Sequence, residues 1–95
     1  MDFVESKLVE LKETIVDDIK KEVIAFINSE GGNLYVGVAD DGHVIGLDDP
    51  QSDMLRLTNM IRDTIKPDAT MFVECQIEKI DTKDIVRVQV QKGTQ

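Results

Sequence analysis

The stretch AFINSEGGNLYVGVADDGHVIG, from Ala25 to Gly46, decides the fold. It strings together the end of a helical apolar pattern, two glycines, a run of aliphatic residues and the turn sequence Asp40-Asp41-Gly42. Gly31 and Gly32 come after the helical pattern and before the strand pattern, which places them at the negative end of a helix dipole and suits a left-handed C-cap. A phosphate-binding glycine loop has the reverse order, strand first and helix after, so that N–H groups and the positive dipole end face the anion. The Lys-Ser or Lys-Thr ending of a Walker A loop occurs nowhere, so no Walker-type ATP site is expected. Asn33 to Ala39 reads as a buried strand in which Gly37 permits close packing. Asp40 to Gly42 supply a turn, and His43 to Gly46 returns as the second arm of a β-hairpin.

Toward the N-terminus, Val4, Leu8, Leu11, Ile15, Ile19, Val23 and Phe26 recur every three or four positions, as on one long amphipathic helix. Thr14 followed by Asp17 is a capping-box-like pair that would instead start a fresh helix at Ile15 and leave Leu8 to Lys12 as a short strand. Both readings are open for residues 5–12. From Ile15 onward the helix puts Ile19, Val23, Phe26 and Ile27 on one face, with Asp17, Asp18, Lys20, Lys21 and Glu22 mostly on the other.

Toward the C-terminus, Asp49 caps a second helix with Pro50 at its first position. Met54 or Leu55, then Leu57, Ile61 and Ile65, carry its apolar stripe, and Lys66-Pro67 end it. Met71, Val73, Cys75 and Ile77 alternate with polar residues, as do Val86, Val88 and Val90, around a turn at Asp81 to Asp84. The predicted order is β-α-β-β-α-β-β, an α+β domain with a mixed or antiparallel sheet and two helices. Residues 1–95 read as a single domain, the N-terminal part of a longer protein. Its last strand is expected at an exposed edge, covered by the remainder of that protein or by a second copy.

Composition bounds the function. A chain of 95 residues removes roughly 60–65% of its unfolded surface from water. With no Trp and 4% aromatic residues, aliphatic side chains must fill that core, leaving little surface on which bases can stack. The single Cys75 forms no internal disulfide and reads as core, and His43 has no second histidine to join it on a metal. Without a basic signal region or an apolar run of about 20 residues, a cytoplasmic location is expected and no membrane association. The net charge is -8, and the first 50 residues hold twelve acids against four bases, while residues 51–95 hold seven of each. That balance argues against strong unspecific attraction to a phosphate backbone, so nucleic-acid binding requires a local basic surface. Its candidates are Lys20 and Lys21 on the first helix, Arg62 and Lys66 one turn apart on the second, and Arg87 on the final strand beside Gln89 and Gln91.

ESKLVELK at Glu5 to Lys12 and IAFINSEGGNLYVGVADDGHVIGL at Ile24 to Leu47 together resemble the AlbA-like domain of the Schlafen family. The likeness lies in the Glu-then-Glu-x-Lys opening, the Ala-Phe-x-Asn helix end, the double glycine, the Gly-Val-x-Asp strand end and the return to Gly46. Microbial members are described as DNA-binding modules attached to regulatory or divergent AAA ATPase-like regions, whereas animal Schlafens include ribonucleases acting on transfer RNA. The resemblance therefore implies a DNA-binding module of a transcriptional regulator. Its alternatives are a metal-dependent ribonuclease and a protein-binding or dimerisation module.

For the ribonuclease, the family's three carboxylates carry over onto Glu5, Glu10 and Asp40, whose oxygens would suit Mg²⁺ or Mn²⁺. No other cofactor is implied, and the isolated domain is expected to lean away from catalysis. Glu5 and Glu10 are five apart and face opposite sides of a regular strand, so they converge only if the chain bends between them. Glu10 and Lys12 share a strand face, where an ion pair is expected, and Asp40 also serves the hairpin turn.

Overall fold

The computed structural model describes residues 3–64 and 71–93. Four strands and two helices follow the order β1 (Val9–Lys12), α1 (Asp18–Ile27), β2 (Gly32–Val36), α2 (Pro50–Thr64), β3 (Val73–Ile80) and β4 (Lys83–Val90). The α+β architecture with a mixed sheet is as predicted, and the open choice at residues 5–12 falls to the strand. Its sheet order is β1-β2-β4-β3. β1 and β2 run parallel, joined by α1, because parallel neighbours need a crossover. β4 runs antiparallel to both β2 and β3.

Strand alternation sorts two cores. Leu34 and Val36 of β2 lie opposite Val88 and Val86 of β4, and these four pack under Ile19, Val23 and Phe26 of α1 and Leu57 and Ile61 of α2. The apolar period of each helix thus meets the period-two pattern of the strands. On the other face Leu11, Val38, Val44 and Ile85 form a smaller cluster flanked by Phe3 and Tyr35.

Several local expectations hold. The Asp49 carboxylate accepts the Ser52 N–H at 3.2 Å, with Pro50 opening α2. Gly31 takes φ +78° and its N–H reaches back to the Phe26 carbonyl at 2.8 Å, closing α1. The turn expected over Asp81 to Asp84 is tighter than that: Asp81 and Thr82, both at positive φ, form a two-residue hairpin turn, and Lys83 and Asp84 already belong to β4.

Others are corrected. α1 starts at Asp18 rather than Ile15, and Asp17 makes no side-chain cap hydrogen bond. Residues 13–17 instead carry the chain from the sheet to the helix layer, burying Ile15 on the way. The return arm of the hairpin is a single bridge, Val38 to Val44, not a full strand. Ile45 and Gly46 both donate to the Gly37 carbonyl, which curls the segment over the second cluster. Nor does the last strand lie at an edge. β4 is bonded on both sides, so pairing of a second copy through the final strand is excluded by the sheet order. The expected helix end at Lys66-Pro67 and the position of Ile65 lie outside the described residues. No helix among the described residues is long and apolar enough to cross a membrane.

Candidate functional site

The sequence leaves Glu5 and Glu10 on opposite sides unless the chain bends, and it does bend. Ser6 and Val9 exchange backbone hydrogen bonds at 3.0 and 3.3 Å, reversing the chain through Lys7 and Leu8. The Ser6 hydroxyl accepts the Leu8 N–H within that turn. The reversal lays Glu5 back along the outer edge of β1, where its carboxylate accepts the Leu11 N–H at 3.3 Å. Phe3 holds the segment down: its N–H donates to the Gly42 carbonyl at 2.8 Å, and its ring lies 4.5 Å from that of Tyr35. Gly42 is required there, because at φ +98° a Cβ would collide with the Phe3 carbonyl.

Asp40 arrives from the hairpin turn, so the three predicted carboxylates come from three segments to line one open cavity of about 450 Å³. Leu11, Lys12, Glu13, Thr14 and Val16 complete its wall. Glu10 and Lys12 point toward α1, opposite Leu34 and Val36 in the register, and there meet a residue that sequence reasoning missed as a participant. Lys12 Nζ lies 2.9 Å from the Glu22 carboxylate and 3.7 Å from that of Glu10. Glu22 read as an outward helix residue, and nothing in its spacing signals that β1 runs beneath it.

Packing acids around one lysine moves the titration of Glu10. Burial, then a hydrogen bond to Glu22 and the negative charges of Glu22 and Glu5, raise the Glu10 pKa from 4.5 to about 7 against the pull of Lys12. Burial alone would lower Lys12, but its hydrogen bond to Glu22 and the surrounding carboxylates hold it above its usual value. The described residues include no group of three or more acids, histidines or cysteines placed to hold a metal ion. Glu10 is committed to Lys12 and Glu22, and Glu5 to a backbone N–H, so a Mg²⁺ or Mn²⁺ ion would have to displace these contacts to be held by the three carboxylates. His43 is engaged by Asp41, at 2.6 Å from its Nδ1.

The predicted basic residues are not gathered. Lys20 is half-buried on α1, Lys21 lies 4.0 Å from Asp18, and Arg62 is exposed at the last turn of α2. Lys66 lies outside the described residues. Arg87 stands on the sheet face away from the helices, opposite Tyr35 on one side and Gln76 on the other. Its Nη2 donates to Gln76 at 3.0 Å, and its Nε forms an ion pair with Glu78 at 3.1 Å whose direction leaves that N–H without a hydrogen bond. One register step away Asn33 lies opposite Gln89, with its buried Oδ1 also unpartnered. The uncovered end of this face is therefore a polar strip across β2, β4 and β3.

No curated protein matches the chain. Among solved structures, the N-terminal domain of an ATP-dependent DNA helicase RecG-related protein from Nitrosomonas europaea superposes with a TM-score of 0.71 at 25% identity, over 95% of this chain and 66% of that one. The DIP2311 protein from Corynebacterium diphtheriae shares the fold with a TM-score of 0.69 at 19% identity, over 97% of this chain and 22% of that one. The chain thus spans about two thirds of the first and about a fifth of the second. The family described as Schlafen, AlbA_2 matches residues 5–95, beginning at the first cavity carboxylate. With the bend, the double-glycine helix end and the curled hairpin all inside that span, the chain belongs to the Schlafen AlbA_2 family.

Proposed function

We propose that this domain is a nucleic-acid-associated module of a larger protein, of the kind that serves transcriptional regulators, and that it meets a DNA phosphate backbone at the polar strip around Arg87. Family membership and the likeness to a domain of a helicase-related protein support an association with nucleic acid. The observation that carries the site is Arg87 itself. Of the described basic candidates, it alone lies within a polar face built from three strands, where its guanidinium is held by Gln76 and Glu78.

A net charge of -8 means that such binding is weak and made through few phosphates. Fluorescence anisotropy of labelled duplex and single-stranded oligonucleotides at 50 and 200 mM salt tests it. The expected plot of log affinity against log salt has a slope of about -1 to -2, and Arg87→Gln flattens it by about 1 and weakens binding about tenfold. Glu78→Gln, which releases Arg87 from its ion pair, strengthens binding. Absence of binding at low salt, or an Arg87→Gln protein that binds like the parent, overturns the reading.

A second reading, cleavage of RNA, has one observation in its favour: Glu5, Glu10 and Asp40 share a cavity. Incubating structured RNA with Mg²⁺ or Mn²⁺ decides it. Cleavage that disappears in Glu10→Gln supports it; no cleavage, or equal cleavage by the variant, removes it.

A further inference from the structure

The sheet has two edges, and they are treated differently. The outer edge of β1 is occupied by the chain's own N-terminal segment, with Ser6 bridged to Val9 and the Glu5 carboxylate on the Leu11 N–H. The edge of β3 has no such cover among the described residues. The Gln91 N–H donates to the Phe72 carbonyl, and a two-residue turn joins Ile80 to Lys83, so Phe72, Glu74, Gln76 and Glu78 are the positions bonded to β4. The N–H and C=O groups of Val73, Cys75, Ile77 and Lys79 consequently point to the free edge.

Beside that edge lies a groove of about 470 Å³ between α2 and β3, lined by Met54, Thr58, Ile61, Arg62, Val73 and Cys75, with Glu74 at its rim. Burial pushes the Cys75 thiol up, so the thiol contributes to this wall as a packing group rather than a nucleophile. On the opposite face of β3 stand Glu74, Gln76 and Glu78. A strand added here would face apolar residues on its groove side and carboxylates on the other.

We propose that the free edge of β3 and the adjoining groove take an extended segment of a partner protein in which apolar residues alternate with lysine or arginine. The apolar residues enter the groove, while the cations sit opposite Glu74 and Glu78. Charge complementarity favours this occupant over a second copy. The only cation of β3, Lys79, lies on the groove-side row, so no antiparallel register of β3 against itself, the pairing a two-fold dimer makes, sets a cation opposite either glutamate. The inference rests on the strand edge rather than on Arg87; Glu78 is common to both readings, so Glu74 is the carboxylate that tests this one.

The test uses synthetic peptides alternating Val and Lys, the same peptides with Glu for Lys, and two forms N-methylated either at every Val or at every Lys. Binding is read by anisotropy and by amide exchange of the protein. The Val/Lys peptide is expected to slow exchange at Cys75, Ile77 and Lys79 and to bind at least about tenfold more tightly than the Val/Glu peptide. Methylation of one residue class abolishes binding and methylation of the other spares it, which also reports the direction of the added strand. Glu74→Lys reverses the preference for Lys over Glu. The proposal is overturned if both methylated peptides bind alike, if protection appears elsewhere, or if exchange at β3 slows with protein concentration alone.

Discussion

Gly31→Ala is expected to lower the melting temperature by roughly 12–24 °C, a loss of about 3 kcal/mol in a domain of this size. Two costs add. At φ +78° an alanine pays the left-handed penalty of about 1–2 kcal/mol. Its Cβ would also stand 2.6 Å from the Val90 carbonyl oxygen and 2.9 Å from the Lys92 nitrogen, both backbone atoms of the segment that ends β4. Neither can rotate aside, so either β4 or the end of α1 must move, and Val90 and Phe26 both belong to the main core. Ser29→Ala, two residues earlier, removes only an exposed hydroxyl that donates to the Ala25 carbonyl and is expected to cost under about 0.5 kcal/mol. Thermal melts of the two variants check the contrast, and a Gly31→Ala shift below about 3 °C would mean that β4 does not close on this glycine.

Glu10→Gln is expected to abolish a pH dependence rather than simply weaken the domain. With the folded pKa held at about 7 against 4.5 for the free side chain, the native state keeps a proton that the unfolded chain releases. Stability from this group is therefore fully present below about 4.5, falls as the pH rises toward 7, and is constant beyond. Because the cavity is open to water, we assign the loss about 2 kcal/mol rather than the full shift. Glutamine mimics the protonated acid. The variant should match the parent near pH 4.5 and melt about 10 °C higher at pH 8. Identical melting profiles from pH 4 to 8 would show that Glu10 titrates as a solvated acid. The same result would remove the electrostatic reason for linking Glu10 to Glu22.

The cavity and the sheet face divide the molecule into two chemically different surfaces. One is acidic and tied up by Lys12, the other polar with a single arginine at its centre. Neither is an intense field, in keeping with a domain that acts by positioned contacts. The free edge of β3 adds a third surface whose recognition rests on backbone groups.

What could be read from the residues alone is local. The helix end at Gly31, the cap at Asp49, the turn at Asp81 and Thr82 and the alternation of β3 and β4 each depend on neighbours within a few positions. The motifs from Glu5 to Leu47 likewise identified the family, since side-chain type at fixed spacing survives without knowledge of the packing. Residues 5–12 were ambiguous because Leu8, Leu11 and Ile15 satisfy a helical period equally well. Only the parallel ladder of Val9–Lys12 with Asn33–Val36 settles the choice, and that partner lies more than twenty residues away. The Thr14 and Asp17 pair looked like a cap for the same reason: local pattern cannot show that Ile15 is needed in the core before the helix begins.

The sequence by itself determined the α+β class, both helices, the family and the three carboxylates worth watching. Tertiary structure alone decided that β4 lies inside the sheet, that Glu5 folds back beside Glu10, and that Glu22 of α1 shares Lys12 with β1. Hydrogen-bond pairing between strands and burial of charges against another layer involve partners distant along the chain, and a one-dimensional pattern contains no term for either.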